Sequence, residues 1–75
     1  KELLMNSLRF IDLDTHTSSI RLELPFWETI DGLAGGKDHW QSWAKEQLKA
    51  KPKTCNMTSW LRQMSHNALV HKLYA

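Results

Sequence analysis

The chain has 75 residues, a single cysteine and no repeated or low-complexity segment. Because one thiol, Cys55, cannot form an internal disulfide, a disulfide-rich secreted scaffold is not expected. No apolar run approaches the ~20 residues of a membrane span, and no signal peptide is visible. One small domain in a reducing cytoplasm is the expected class. A chain this short buries little of its surface, so oligomerisation is its simplest additional support.

Patterns for catalysis and metal binding are also missing. The spacing of Cys55 and the four histidines matches no compact pair of metal ligands. His66 and His71 are five residues apart, a spacing that does not place both on one helix face. Cys55 has no readable general base beside it. We therefore expect no enzyme activity, no catalytic residue, no metal and no cofactor.

The segment from His16 to Ile30 changes its hydrophobic period. A short strand at about Ser18–Leu22 alternates apolar and polar residues, and helical spacing begins at Phe26. The strand has an apolar side, Ile20 and Leu22, and a polar side, Thr17, Ser19 and Arg21. Such a strand is not stable alone, so it predicts antiparallel pairing with a second copy. A two-stranded ribbon of this kind fits the DNA major groove.

Three helices are expected after the strand. The first covers about Leu24–Leu33, because proline suits a first helical turn and the following Gly35-Gly36 can end a helix. The second covers about His39–Ala50, with Asp38 as its N-cap. The third covers about Asn56–Leu73 and is opened by Asn56 or Thr58.

The remaining regions are the N-terminus and the aromatic positions. Residues 1–15 are interpreted as an arm, extended near Leu8 to Leu13. Four tryptophans fall on predicted apolar helix faces, which favours core or dimer packing over stacking on nucleobases: Trp27, Trp40, Trp43 and Trp60.

Residues 17–50 resemble a ribbon-helix-helix DNA-binding domain. The resemblance rests on the stretch TSSIRLELPFWETIDGLA, and TSWLRQMSHNAL resembles an extra C-terminal helix of one bacterial subgroup. It implies a mainly α fold with one short N-terminal β-strand, in which two chains intertwine through a two-stranded antiparallel ribbon. The implied organisation is an arm at 1–15 and a ribbon-helix-helix domain with a third helix at 16–75.

The resemblance also implies a function and a set of site residues. It implies a dimeric, sequence-specific regulator of transcription, usually a repressor, that binds double-stranded DNA in the cytoplasm at the nucleoid, with two dimers side by side. The residues expected to contact bases are Thr17, Ser19 and Arg21. Those expected to contact phosphates are Lys37, Asp38 and His39. Those expected in the dimer core are Ile20, Leu22, Phe26, Trp27, Ile30 and Trp43.

Arginine suits base contact because it can donate two parallel hydrogen bonds to guanine. Further lysines add sequence-independent attraction to phosphates, namely Lys49, Lys51 and Lys53.

Two other functions remain open. An antitoxin would carry a C-terminal segment that folds on a toxin, whereas here the C-terminal third is patterned like a packed helix. A protein-interaction module would form the same dimer without nucleic acid, and Arg21 would then be a solubilising charge. Binding of duplex DNA separates the regulator from the interaction module, and co-purification with a small protein would favour the antitoxin or a protein effector.

Overall fold

A computed structural model describes residues 5–74, which begin with a β-hairpin. Strand β1 (Asn6–Asp12) pairs antiparallel with strand β2 (Thr17–Glu23), in a register that runs from Asn6 opposite Glu23 to Asp12 opposite Thr17. The turn between them is closed by a hydrogen bond of 2.8 Å from the Leu13 N–H to the His16 carbonyl. The part of the predicted arm at residues 1–4 lies outside the described residues.

Strand β1 corrects the expectation of a single strand. The sequence pattern predicts β2, but the arm contributes a full second strand that pairs with it inside one chain. Its alternation is inverted, because Leu8 and Phe10 are exposed while Ser7 and Arg9 lie on the same face as the buried Ile11. A strand with apolar residues on its outer face does not resemble a half-buried strand, and this explains why the sequence gives it no clear signal.

Three helices follow the hairpin, close to the predicted positions. Helix α1 (Leu24–Ala34) has proline in its first turn and ends at Gly35, whose φ of 90° is the left-handed conformation that glycine adopts easily. Helix α2 covers Trp40–Lys49 and helix α3 covers Met57–Tyr74. Asn56 caps α3, since its Oδ1 accepts a hydrogen bond of 2.8 Å from the Ser59 N–H.

The predicted cap of the second helix is wrong. Asp38 lies inside a short 3₁₀ turn, Lys37–His39, that precedes α2, and neither this turn nor α2 has a side-chain cap bond. Helix α2 therefore begins at Trp40, one residue later than expected. The two preceding glycines explain the difference, because Gly36 adopts a φ of 145° and the chain tightens into the 3₁₀ turn directly after it.

The core forms where the inner face of the hairpin meets the three helices. Its fully buried side chains come from β1, β2, α1, α2 and α3, namely Ile11, Ile20, Leu22, Trp27, Ile30, Ala44 and Leu61, with Trp40 almost as buried. Phe26 and Trp43 are partly buried against this cluster. Every residue expected in a dimer core is therefore packed in or against the core of one chain, so its burial needs no second copy.

Arg9 connects β1 to the helices. Its guanidinium makes two hydrogen bonds to the Asp31 carboxylate, of 2.8 and 3.0 Å, and stacks 4.5 Å from the ring centre of Trp27. The Trp27 Nε1–H donates to the Ser7 carbonyl at 2.8 Å, and its ring meets Trp40 edge-on at 5.0 Å. Because both ends of the ion pair are largely shielded from water, removing one partner leaves an uncompensated charge.

A second ion pair connects β2 to α3. Arg62 donates to both oxygens of the Glu23 carboxylate, with a closest distance of 3.0 Å, and lies 5.4 Å from the ring centre of Phe26. A hydrogen bond from its own backbone N–H, and then the bond from Arg62, hold the pKa of Glu23 below its ordinary value of 4.5. The carboxylate therefore stabilises the folded chain in its ionised form.

The connection between α2 and α3 is fixed by side chains that bond the backbone. Lys51 Nζ donates to the Cys55 carbonyl at 2.7 Å, and Trp60 Nε1–H donates to the Gln47 carbonyl at 2.7 Å. The second bond adds to the one of 3.2 Å that the same carbonyl, in the last turn of α2, accepts from the Ala50 N–H. Pro52 separates the two helices, as expected from its position.

We predict that Arg9→Met destabilises the protein by about 2–3 kcal/mol, because Asp31 keeps a shielded charge without a partner. Arg21→Met is the matched control, since it removes an exposed arginine from the same hairpin and should change the free energy of unfolding by less than about 0.5 kcal/mol. Urea denaturation of both variants checks this. Equal midpoints for the two would contradict the structural role of Arg9.

We predict that Glu23→Gln makes the stability of the protein less dependent on pH in the acidic range. The pKa of Glu23 is lowered by folding, so its stabilising effect is complete above pH 4.5 and is lost as the pH falls through the folded-state value. The difference in melting temperature between the native chain and Glu23→Gln should therefore be largest near neutral pH and shrink in acid. Glu28→Gln, which removes an exposed carboxylate of α1, is the control. A difference that stays constant down to pH 3 would oppose the assignment.

Candidate nucleic-acid interface

The outer face of the hairpin carries the three residues expected to contact bases. Thr17, Ser19 and Arg21 are all exposed on β2, whereas the intervening Ile20 and Leu22 are fully buried. This is the alternation expected for a strand with one face on a core and one face in water. The structure therefore brings the three side chains together in a row along one strand.

The row on β2 has a neighbouring row on β1. The register places Leu8 opposite Arg21 and Phe10 opposite Ser19 on the outer face. The side chain of Phe10 is 61% exposed and that of Leu8 is 42% exposed, so this face combines apolar and polar groups. Neither residue is among those predicted from the sequence for a site. The signal in the sequence is limited to the alternation Leu8-Arg9-Phe10, which does not show that its apolar side faces outward.

The three candidate base contacts differ in how free they are to bind. Within residues 5–74, no hydrogen bond or ion pair engages the Arg21 guanidinium, whereas Arg9 and Arg62 are both held by carboxylates. The Thr17 hydroxyl donates to the Asp12 carboxylate at 3.0 Å, across the end of the hairpin. Arg21 is consequently the strongest candidate for an external contact, and Thr17 must exchange an internal bond for any external one.

The three candidate phosphate contacts form the short turn before α2. Lys37, Asp38 and His39 are all exposed. Lys37 and Asp38 line a groove of about 600 Å³ together with residues of β1 that include Leu8 and Phe10. The turn therefore lies beside β1. Asp38 would repel a phosphate, so electrostatic attraction at this turn comes from the cation Lys37.

The other lysines considered for phosphate contact are not equivalent. Lys49 pairs with Glu46 at 2.9 Å, and both side chains are mostly in water. Lys51 donates to the backbone of the loop and is therefore partly committed to the fold. Lys53 is exposed on the same loop. An exposed ion pair contributes little to stability, so Lys49 and Lys53 remain available to solvent anions, unlike Lys51.

Trp40 does not serve as a base-stacking platform. It is only 8% exposed and its ring contacts Trp27, so a nucleobase has no face to stack on. In the described chain, no three histidine, cysteine, aspartate or glutamate side chains group closely enough to hold a metal ion. None of the helices described here has the length and apolar character needed to cross a bilayer.

No known protein family, characterised protein or solved structure matches this chain. Function must therefore be inferred from the hairpin face and its neighbouring turn.

Proposed function

We propose that this protein is a sequence-specific, double-stranded DNA-binding regulator of transcription, most simply a repressor that acts by occupying its operator. The observation that carries the proposal is the exposed row of Thr17, Ser19 and Arg21 on a two-stranded antiparallel ribbon whose other face is buried. Paired with β2 of a second copy, the strand that carries this row would form a two-stranded ribbon of the kind that the DNA major groove admits, where base edges can be distinguished.

Arg21 is the residue proposed to select a base. Its guanidinium carries two parallel donors that match O6 and N7 of guanine, and internal carboxylates do not occupy it. Ser19 and Thr17 supply hydroxyl groups that can donate or accept at several bases and select less strongly. The expected preference therefore centres on a guanine beneath Arg21, with weaker discrimination beneath the two hydroxyl residues.

The proposed functional unit is a homodimer of the ribbon-helix-helix type, in which the β2 strands of two chains pair. Within residues 5–74, each strand of the hairpin pairs on one side only. Side chains of the helices bond the backbone of β1, through the Ser7 carbonyl and the Asp12 N–H, while no helix side chain among the described residues bonds the backbone of β2. An unpaired strand edge is a template for another strand, so β2 is the edge that suits a second copy.

In such a dimer the two β2 strands occupy the centre and the β1 strands lie on either side. The major groove is about 12 Å wide and admits two strands, so the β2 pair enters it and the β1 strands face its walls. Lys37 lines the surface groove of the protein beside Leu8 and Phe10, so it would then lie near the DNA backbone. It is proposed to contact phosphate without selecting sequence.

A second candidate function, a protein-interaction module without nucleic acid, is favoured by one observation. Leu8 and Phe10 are exposed on the face proposed for DNA. Exposed apolar residues that lie together mark interaction surfaces, and aromatic residues with arginine are enriched where proteins bind one another. Under this alternative, two hairpin faces would pack together and Arg21 would lie at the rim.

We predict that Arg21→Ala weakens binding to a selected duplex by about 1–3 kcal/mol and relaxes the preference at one base position. The duplex is obtained by selection from a random pool, and affinity is measured by fluorescence anisotropy at two salt concentrations. Arg21→Lys keeps the charge but lacks the two-pronged donor, so it should retain affinity for unrelated DNA and lose the base preference.

Lys37→Ala provides the comparison, since it should weaken binding on all duplexes alike and reduce the salt dependence by about one phosphate contact. Selection that yields no preferred sequence, or unchanged preference in Arg21→Ala, would oppose the proposed reading of DNA.

We predict that Phe10→Ser leaves the oligomeric mass of the native chain unchanged, because the proposed dimer pairs through the edge of β2 and not through the hairpin face. Sedimentation equilibrium measures the mass, and Leu73→Ser is the control for loss of an exposed apolar side chain elsewhere. A native dimer that becomes a monomer only in Phe10→Ser, with no duplex bound by either protein, would favour the interaction module instead.

A further inference from the structure

The charges of the chain are divided between its two parts. All eight aspartate and glutamate residues lie at or before Glu46, and residues 47–75 contain no carboxylate side chain. The same segment has five permanent cations, Lys49, Lys51, Lys53, Arg62 and Lys72. The loop after α2 and the whole of α3 therefore contain basic residues and no acidic residue of their own.

The second half of α3 is not covered by the rest of the described chain. Leu61 and Ser65 are fully buried, but beyond Ser65 only Ala68 is partly shielded and the other residues up to Tyr74 are exposed. We call the segment His66–Tyr74 the α3 tail. It begins where the helix leaves the core, and none of its residues belongs to the buried hydrophobic cluster or to the apolar residues packed against it.

The α3 tail carries an apolar stripe. Leu69 and Leu73 are one helical turn apart, as are Val70 and Tyr74, so the four side chains lie side by side along the helix. They are 38%, 70%, 37% and 84% exposed respectively. Four apolar groups in this arrangement are the kind of surface that a second amphipathic helix covers.

Polar and basic side chains border the stripe. His66 and His71 border a shallow groove that includes Val70 and Tyr74, and Lys72 lies within the same two turns. No acidic side chain is present in α3. A partner that covers the stripe therefore meets the positive charge of Lys72 at its edge, and its own edge residues are favoured if they are acidic.

We propose that the α3 tail docks an acidic amphipathic helix of a partner protein. Symmetric pairing with the α3 tail of a second copy would bring Lys72 of both chains together without an acidic side chain in either tail to offset them, which like-charge repulsion opposes. The stripe covers only two helical turns. A single docked helix therefore makes a small apolar contact with it, bordered by polar and basic side chains. This surface is separate from the hairpin face, and its role does not depend on DNA binding.

The experiment uses two synthetic probes of equal length and hydrophobicity. Both peptides place leucine at i and i+4 positions, and their remaining positions are glutamate in one and lysine in the other. We expect the fluorescein-labelled glutamate peptide to bind the full chain at least ~10-fold more tightly than the lysine peptide in anisotropy titrations at low salt.

Three variants locate the contact. Val70→Ser with Leu73→Ser should reduce affinity for the glutamate peptide about tenfold or more, as expected for loss of central apolar anchors, and Lys72→Glu should reduce it several-fold. Phe10→Ser removes an exposed aromatic side chain from the hairpin face and should leave it unchanged. Because all four positions are exposed, circular dichroism should show native helix content in each variant.

Several results would overturn the proposal. These are equal binding of the two peptides, no binding of either, or an affinity loss in Phe10→Ser that matches the loss in the double serine variant. Self-association of the native chain that the double serine variant abolishes would assign the stripe to a second copy. Binding to vesicles with anionic phospholipid in preference to the glutamate peptide would assign it to a membrane surface. Failure of the native chain to select a preferred duplex, with affinity for the glutamate peptide retained, would oppose only the proposed function of the hairpin.

Discussion

The contact between Arg9 and Trp27 is the interaction on which the arrangement of the chain depends. The guanidinium lies over the indole and is held from the other side by Asp31 of α1, while the indole N–H bonds the Ser7 carbonyl. Three contacts thereby join β1 to α1: the ion pair of Arg9 with Asp31, the hydrogen bond from the Trp27 indole, and the stacking of Arg9 on the Trp27 ring. These contacts attach β1, which has few apolar side chains on its inner face, to the helices.

Attachment of β1 changes what the strand at residues 17–23 requires. With β1 as its partner, β2 completes a ribbon inside one chain and its apolar residues are buried by helices of the same chain. A second copy is then not needed to bury Ile20 or Leu22, although the sequence pattern of this strand taken alone predicts one. The case for a dimer now depends on the unpaired edge of β2, which favours strand addition without being required for a folded core.

The parts of the fold that sequence predicts well are those set by local chemistry. Pro25, Gly35 and Asn56 each act through the backbone of their own turn, and the alternation around Ile20 indicates one buried face.

The parts of the fold that sequence predicts poorly are set by residues distant in the chain. Arg9 looks like a surface arginine until Asp31, 22 residues away, neutralises it. Asp38 looks like a cap because its residue type suits one, but the two glycines before it redirect the chain into a tighter turn.

The same logic decides which arginine is available at the candidate site. Arg9, Arg21 and Arg62 are chemically identical, but the fold places carboxylates beside the first and the last and leaves Arg21 opposite Leu8. An arginine that already donates to a carboxylate must break that bond before it can contact a base, whereas a solvated one exchanges only water. The pattern of internal ion pairs therefore directs recognition to one position of the outer face. The hairpin can vary Ser19 and Arg21 without disturbing the packing of Ile11, Ile20 and Leu22 on the helices, because that packing comes from the opposite face of the ribbon.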